Sequence, residues 1–181
     1  REKLNSIDPT RGQAKLSFDS VPATRVGGSG DGWHIASQVL DRAAILIAFE
    51  QVGGSDRALE MARDYALERM AFGRQIGSFQ AIKHKCADMM IAVESARSAV
   101  YYAACIADDR SDDLSSNASL AKAWCSEAYF KCAADSIQIH GGVGFTWEYE
   151  PHLHFKRARA SENWLGSPSF HRERIAQHLE L

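Results

Sequence analysis

The stretch that decides the fold is "IASQVLDRAAILIAFEQVGGSDRALEMARDYALERMAFG", residues 35–73. Ile35, Val39, Ala43, Leu46, Ile47, Leu59, Ala62, Tyr65 and Ala66 recur at spacings of three and four, which is the period of an amphipathic helix. The pattern predicts one helix from Asp31 to about Phe72-Gly73. Gly53-Gly54 is its weak point and the place where it would bend.

The same period continues downstream. A second helix is expected from about Ser78 to Asp109, carrying Ile82, Cys86, Met89, Met90, Val93 and Tyr101. The polar run "DDRSDDLSSN" (108–117) supplies a turn. A third helix runs from about Ser116 to His140, a shorter fourth from about Tyr149 to Trp164, and a terminal helix is opened by Ser167 with Pro168 at its first position. Long helices with broad apolar stripes and short connections bury that surface most simply as an antiparallel up-down four-helix bundle, a mainly α fold.

Residues 1–30 read differently. "AKLSFDSVPATRVGG" (14–28) alternates apolar and polar residues and predicts one or two short strands with a glycine-rich exit. Two strands do not make a stable sheet alone. This segment is therefore expected to be the tail of a β-domain lying upstream, or to lie against another chain, with residues 31–181 forming the helical bundle.

Composition narrows the class. The 181 residues are 45% hydrophobic and 24% charged with a formal net charge of −2, which is ordinary for a globular domain and offers no field to attract nucleic acid. Cys86, Cys105, Cys125 and Cys132 fall within helical patterns without a C-x-x-C pair, so they read as buried, reduced thiols. No apolar run reaches the ~18 residues of a membrane span and the N-terminus lacks a signal-peptide core, giving a cytoplasmic expectation.

Two segments carry candidate chemistry. In "RMAFGRQIGSFQ" (69–80), Arg69 and Arg74 offer fixed cations, Phe72 and Phe79 offer flat apolar faces, and the start of the following helix offers free amides; together these suit a phosphate and a purine. The alternative is a helix hairpin with solvated arginines. In "QIHGGVGFTWEYEPHLHFKRARA" (138–160), Gln138 carries both donor and acceptor, and Gly141-Gly142 let a ligand approach the main chain. The alternative there is a glycine helix cap and a loop. His152 and His154 point to opposite sides and do not suit a shared metal. No Glu-x-x-His pair suggests a di-iron bundle, and no G-x-S-x-G suggests a serine nucleophile.

Taken together, "YALERMAFGRQIGSFQAIKHKCADM" (65–89), "AVESAR" (92–97), "SIQIHGGVGFTWEYEPHLHFKRARA" (136–160) and the leading "LSFDSVPATRVGG" with "DGW" (16–33) resemble the acyl-CoA dehydrogenase family over almost the whole chain. The resemblance implies a tetramer, homomeric or mixed, with FAD at a subunit interface, an acyl-CoA substrate and an electron-accepting flavoprotein as partner. Carried over by position, Arg69 would contact the pyrophosphate, Phe72 would pack near the adenine with Gln80 close by, and Gln138, Gly141 and Gly142 would cradle the same end.

The departures concern the base. Family members take a proton from the carbon beside the thioester carbonyl with a Glu, and the two slots where that Glu is found hold Leu165 and Ala43 here. Neither can accept a proton. Ala44 stands where many relatives have an arginine. Glu50 and Glu162 are the remaining candidates; Glu50 suits the role if it is buried with a raised pKa, and otherwise pairs with a bundle arginine. Ala43, Ala44 and Ala48 suggest a roomy wall for a bulky acyl group. The expected function is α,β-dehydrogenation of an acyl-CoA thioester with hydride transfer to FAD. The alternatives are a catalytically incomplete subunit of a mixed acyl-CoA dehydrogenase, a flavin-independent interaction module, and a flavin oxygenase on the same bundle.

Overall fold

The computed structural model describes residues 1–109 and 113–181. Helix α1 spans Gly32–Glu68, α2 Gln80–Asp108, α3 Leu114–His140, α4 Pro151–Glu162 and α5 Pro168–His178. The fold is mainly α, as the periodicity predicts, and α1 at 37 residues is about 55 Å long. Part of the polar turn expected over 108–117 falls on residues 110–112, outside the described residues. Helix α3 packs against all four other helices and α1 packs against α2 and α4. Ser167 caps α5 through a Phe170 N–H to Ser167 Oγ bond of 3.3 Å, with Pro168 at the first position.

The core between the long helices is rich in small residues. Ala44, Ala48, Ala58, Ala62 and Ala66 line α1, facing Ala118, Ala121, Cys125 and Cys132 on α3 and Met89, Val93 and Val100 on α2. Small side chains let the helix axes approach closely. This choice turns the stripe of α1 slightly from its expected position: Val39 and Leu46 are exposed, and Ala44 and Ala48 are buried in the bundle instead of forming an open wall. Cys105 is likewise exposed, against the expectation of four buried thiols, while all four thiols are free.

Gly53-Gly54 is a packing contact within an unbroken helix. A Cβ at Gly54 would stand 2.3 Å from the ring of Tyr129, whereas a Cβ at Gly53 would meet nothing within 4 Å. Close approach of α3, not flexibility, requires the second glycine.

The N-terminal segment forms less sheet than its pattern suggests. Strand β1 (Glu2–Leu4) pairs antiparallel with β2 (Gln13–Lys15), Glu2 opposite Lys15. After Lys15 the chain joins no strand before α1. Leu16, Phe18, Val21 and Val26 are exposed, so the alternating residues have no sheet face to cover within this chain. The segment is nevertheless tied to the bundle. Arg157 on α4 donates to Asp8 at 2.8 Å, to Thr10, and to Glu50 on α1 at 3.4 Å, and Arg11 donates to Glu50 at 2.6 Å. Burial alone would raise the Asp8 carboxyl, but hydrogen bonds from Thr10 and Arg157 hold it below its ordinary range.

Candidate functional site

Helix α1 stops at Glu68, four residues before Phe72, because Arg69 takes an extended backbone (φ −70°, ψ 123°). Met70–Ala71 and Arg74–Gln75 then form a hairpin, β3 and β4, with Ala71 opposite Arg74. Its two-residue turn is Phe72-Gly73, at φ 53° and 78°. Positive φ at both central residues is the signature of a type I′ turn, which Asn-Gly satisfies most easily. A phenylalanine there stores on the order of 1 kcal/mol of backbone strain. The strain holds the ring at the hairpin tip, 94% exposed, edge-on to Phe79 at 6.1 Å, while Arg74 lies 4.1 Å over Phe79. Gln80 opens α2, whose N-terminus has no side-chain cap, leaving the helix start available to an anion.

The end of α3 comes to the same side. Tyr65 on α1 stacks on His140 at the end of α3, with ring centroids 4.3 Å apart, so Arg69 and Gln138 extend from adjoining helix ends. Gln138 is exposed between buried Ile137 and Ile139. Gly141 has φ 66°, and a Cβ on Gly141 or Gly142 would meet nothing within 4 Å, whereas one on Gly144 would press on the Ile137 carbonyl at 2.9 Å. The first two glycines thus leave their Cα faces open, with the Gly141 N–H itself spent on the Ile137 and Gln138 carbonyls, and the last closes the Gly141–Phe145 turn against α3.

The structure leaves the proposed cofactor residues free. Arg69, Phe72, Gln80, Gln138, Gly141 and Gly142 are all exposed, and among the described residues the side chains of Arg69, Gln80 and Gln138 make no hydrogen bond or ion pair. A guanidinium and open amides suit a diphosphate, and an exposed flat ring suits an adenine. These residues fit the ADP end of FAD.

The base slots lie elsewhere. Leu165 and Gly166 have φ 58° and 111° and open the floor of a cleft walled by Trp33, Leu40 and Phe170. The carboxylate lining that cleft is Asp41, buried and held 2.8 Å from Arg174. Ala43 is half-buried on α1. Glu50 lacks the environment its candidacy required: it is half-buried and paired with both Arg11 and Arg157. Glu162 pairs with Arg159 at 2.6 Å. His154 Nδ1 meets the Tyr129 hydroxyl at 3.0 Å while His152 Nδ1 faces Lys156 at 3.3 Å, so the two imidazoles serve different contacts.

A buried polar junction was not foreseen. Lys122, fully buried on α3, donates to Ser126 Oγ at 2.9 Å and to the Glu162 and Gly166 carbonyls at 3.1 and 3.4 Å. Gln51 on α1 donates to Ser126 and to Ser161 on α4, each at 3.1 Å. Burial pulls the Lys122 ammonium down to about 8. Beside it, buried His171 has no hydrogen-bond partner at either ring nitrogen among the described residues. Burial first, then Lys122 and Arg174, lower it to about 4; the Leu165 backbone pulls weakly the other way without reaching hydrogen-bond geometry. The available signal was helical phase: Lys122 falls in line with Ala118, Cys125 and Tyr129, on the face α3 buries.

The comparisons with known proteins identify the family. The sequence model of the acyl-CoA dehydrogenase C-terminal domain matches residues 30–180. Acyl-CoA dehydrogenase IpdE2 of Mycobacterium tuberculosis is 41% identical over 168 residues, covering 92% of this chain and 48% of its own. Among solved structures, an FAD-dependent dehydrogenase superposes with TM-score 0.81 at 32% identity over 86% of this chain and 42% of its own. A steroid ACAD named Tcur3481-Tcur3483 superposes with TM-score 0.88 at 29% identity over 99% of this chain and 48% of its own. The chain spans about half the length of the curated relatives it matches. It belongs to the acyl-CoA dehydrogenase family, whose C-terminal domain it carries.

Proposed function

We propose that this chain is the flavin-holding C-terminal part of an FAD-dependent acyl-CoA dehydrogenase acting on an acyl-CoA thioester. Residues 1–30 are then the end of an upstream β-domain and residues 31–181 the bundle. The observation that carries the reading is the exposed row of Arg69, Phe72, Gln138, Gly141 and Gly142 on adjoining helix ends, where the side chains of Arg69 and Gln138 make no hydrogen bond or ion pair among the described residues. Arg69 would hold the diphosphate, Phe72 would cover the adenine with Gln80 beside it, and Gln138 with the glycine backbone would complete the cradle. Bound there, FAD supplies the hydride acceptor for α,β-dehydrogenation. The row lies on the outside of the bundle, so a neighbouring subunit of a tetramer closes the cofactor from the other side. An electron-accepting flavoprotein in the cytoplasm then takes the electrons. Replacing Arg69 by Ala in the assembled protein is expected to weaken FAD retention at least ~10-fold, the loss of one charge-assisted contact. Unchanged bound flavin per chain would reject the reading.

A second reading is favoured by the base slots. Leu165 and Ala43 offer no proton acceptor, Asp41 is held by Arg174 and Glu50 by two arginines. A chain of this kind serves as the cofactor-completing subunit of a mixed acyl-CoA dehydrogenase whose base comes from another chain. The paired name of the Tcur3481-Tcur3483 protein points the same way. Turnover of acyl-CoA by assemblies of this chain's protein alone would exclude it.

A further inference from the structure

A groove beside the open row is built to accept a positive charge. It is lined by Tyr65, Glu68, His140, Glu148, Tyr149 and Glu150. Its back wall is aromatic: His140 stacks on Tyr65 at 4.3 Å, and Tyr149 stands edge-on to both at 6.1 and 6.0 Å. Electron-rich ring faces attract a cation. The rim is acidic. The cation lining it, Arg57, is already engaged by Glu60 at 3.1 Å and stands 3.9 Å from Glu150, while Glu68 and Glu148 have no ion pair among the described residues.

The imidazole supplies an independent indication. His140 is 7% exposed, and its Nδ1 lies 2.7 Å from the Ser136 carbonyl. A carbonyl only accepts, so Nδ1 carries the hydrogen. Burial lowers the pKa of the ring, the Ser136 bond opposing it, so the neutral form with its lone pair on Nε2 prevails. Nε2 has no hydrogen-bond partner among the described residues and is not shut away from solvent, on a ring that lines the groove. An unpaired acceptor on the groove wall, aromatic faces and surplus carboxylates together suit a donor that is also a cation.

We propose that this groove receives an arginine or lysine side chain of the neighbouring subunit that closes the flavin face. The placement argues for a subunit over a free amine: Glu68 adjoins Arg69 and His140 adjoins Gly141, so the groove and the cofactor row form one continuous exposed edge. The inference rests on the flavin reading only for the identity of that neighbour. The groove sets the register in which the neighbour docks.

The test uses the full-length protein in its assembled state. Glu148→Lys with Glu150→Lys places two like charges at the rim without touching the core, and His140→Phe keeps the stack while removing the lone pair. Native mass spectrometry across a dilution series reads subunit association and bound FAD together, with circular dichroism reporting helix content. The charge reversal is expected to weaken association at least ~10-fold with helix content unchanged, and His140→Phe to weaken it several-fold. N-acetylarginine amide at millimolar concentration should disperse the wild type and N-acetylglycine amide should not. Association unchanged in both variants overturns the proposal, as does dispersal by both amides alike. Association weakened with bound FAD per chain unchanged would instead support the groove and count against the flavin reading alone.

Discussion

Around Lys122 the chain closes its polar groups upon one another, whereas along the edge from Arg69 to Gly142 it leaves them open. At the junction, Lys122, Gln51, Ser126 and Ser161 join α1, α3 and α4 through bonds of about 3 Å, all in side chains shielded from water. Such a network is stable only when its members are satisfied, because a lone buried charge is unfavourable. At the edge, the side chains of Arg69, Gln80 and Gln138 make no hydrogen bond or ion pair among the described residues, and Phe72 is held in a strained turn with its ring exposed. Water alone can satisfy the second arrangement; on the proposed reading its polar groups are set for a flavin that arrives from outside the chain.

The largest expected effect tests the closed side. His171 titrates near 4 in the fold against about 6.5 when unfolded. Below 6.5 the unfolded chain takes up the proton first, so stability is lost as pH falls from 6.5 to 4 and the penalty is complete below that, on the order of 3 kcal/mol. Urea midpoints across that window should fall steeply in the wild type and more gently in His171→Gln. An equal slope in both would remove His171 from the closed region's energetics.

Next in size is a pair of neighbours. Gly54→Ala drives a methyl into Tyr129 and should destabilise by about 2 kcal/mol through forced repacking. Gly53→Ala, which meets nothing, should stabilise by about 0.5–1 kcal/mol through helix propensity. Thermal melts of the two variants moving in the same direction would contradict the packing assigned to α1 and α3.

Smallest in stability is Gly142→Ala on the open side. Its Cβ meets no atom of the chain, so unfolding free energy should change by less than about 0.5 kcal/mol. Flavin retention should fall, because the methyl occupies the backbone approach reserved for the ligand. A variant that keeps its flavin would show that this glycine is only part of a helix-ending turn.

Much of the helical scaffold was legible because burial imposes the three-and-four period directly on residues such as Ala62, Ala66 and Met89. Helix ends were harder: Phe72-Gly73 continues the apolar pattern, and only turn chemistry separates a hairpin tip from a helix end. The N-terminal alternation overstated its strands, since Leu16 and Phe18 are exposed and join no strand among the described residues. Glycine approach and helix ends marked Arg69, Gln138 and Gly141 as a possible ligand edge, and the family resemblance assigned them to FAD. Lys122, Arg157 and His140 were missed. Each is a polar residue whose role depends on partners distant in sequence, Glu162, Asp8 and Tyr65 respectively, and local pattern carries no record of such pairings.

On the flavin reading the open edge gives up stability to hold its cofactor, and Phe72→Asn is the sharpest probe of that exchange. Asn-Gly suits a type I′ turn, so the variant should gain about 1 kcal/mol of stability by relieving the positive φ at residue 72. Measured on the assembled protein, bound FAD per chain should fall as the melting temperature rises. A variant that is more stable and keeps its full complement of FAD would contradict the claim.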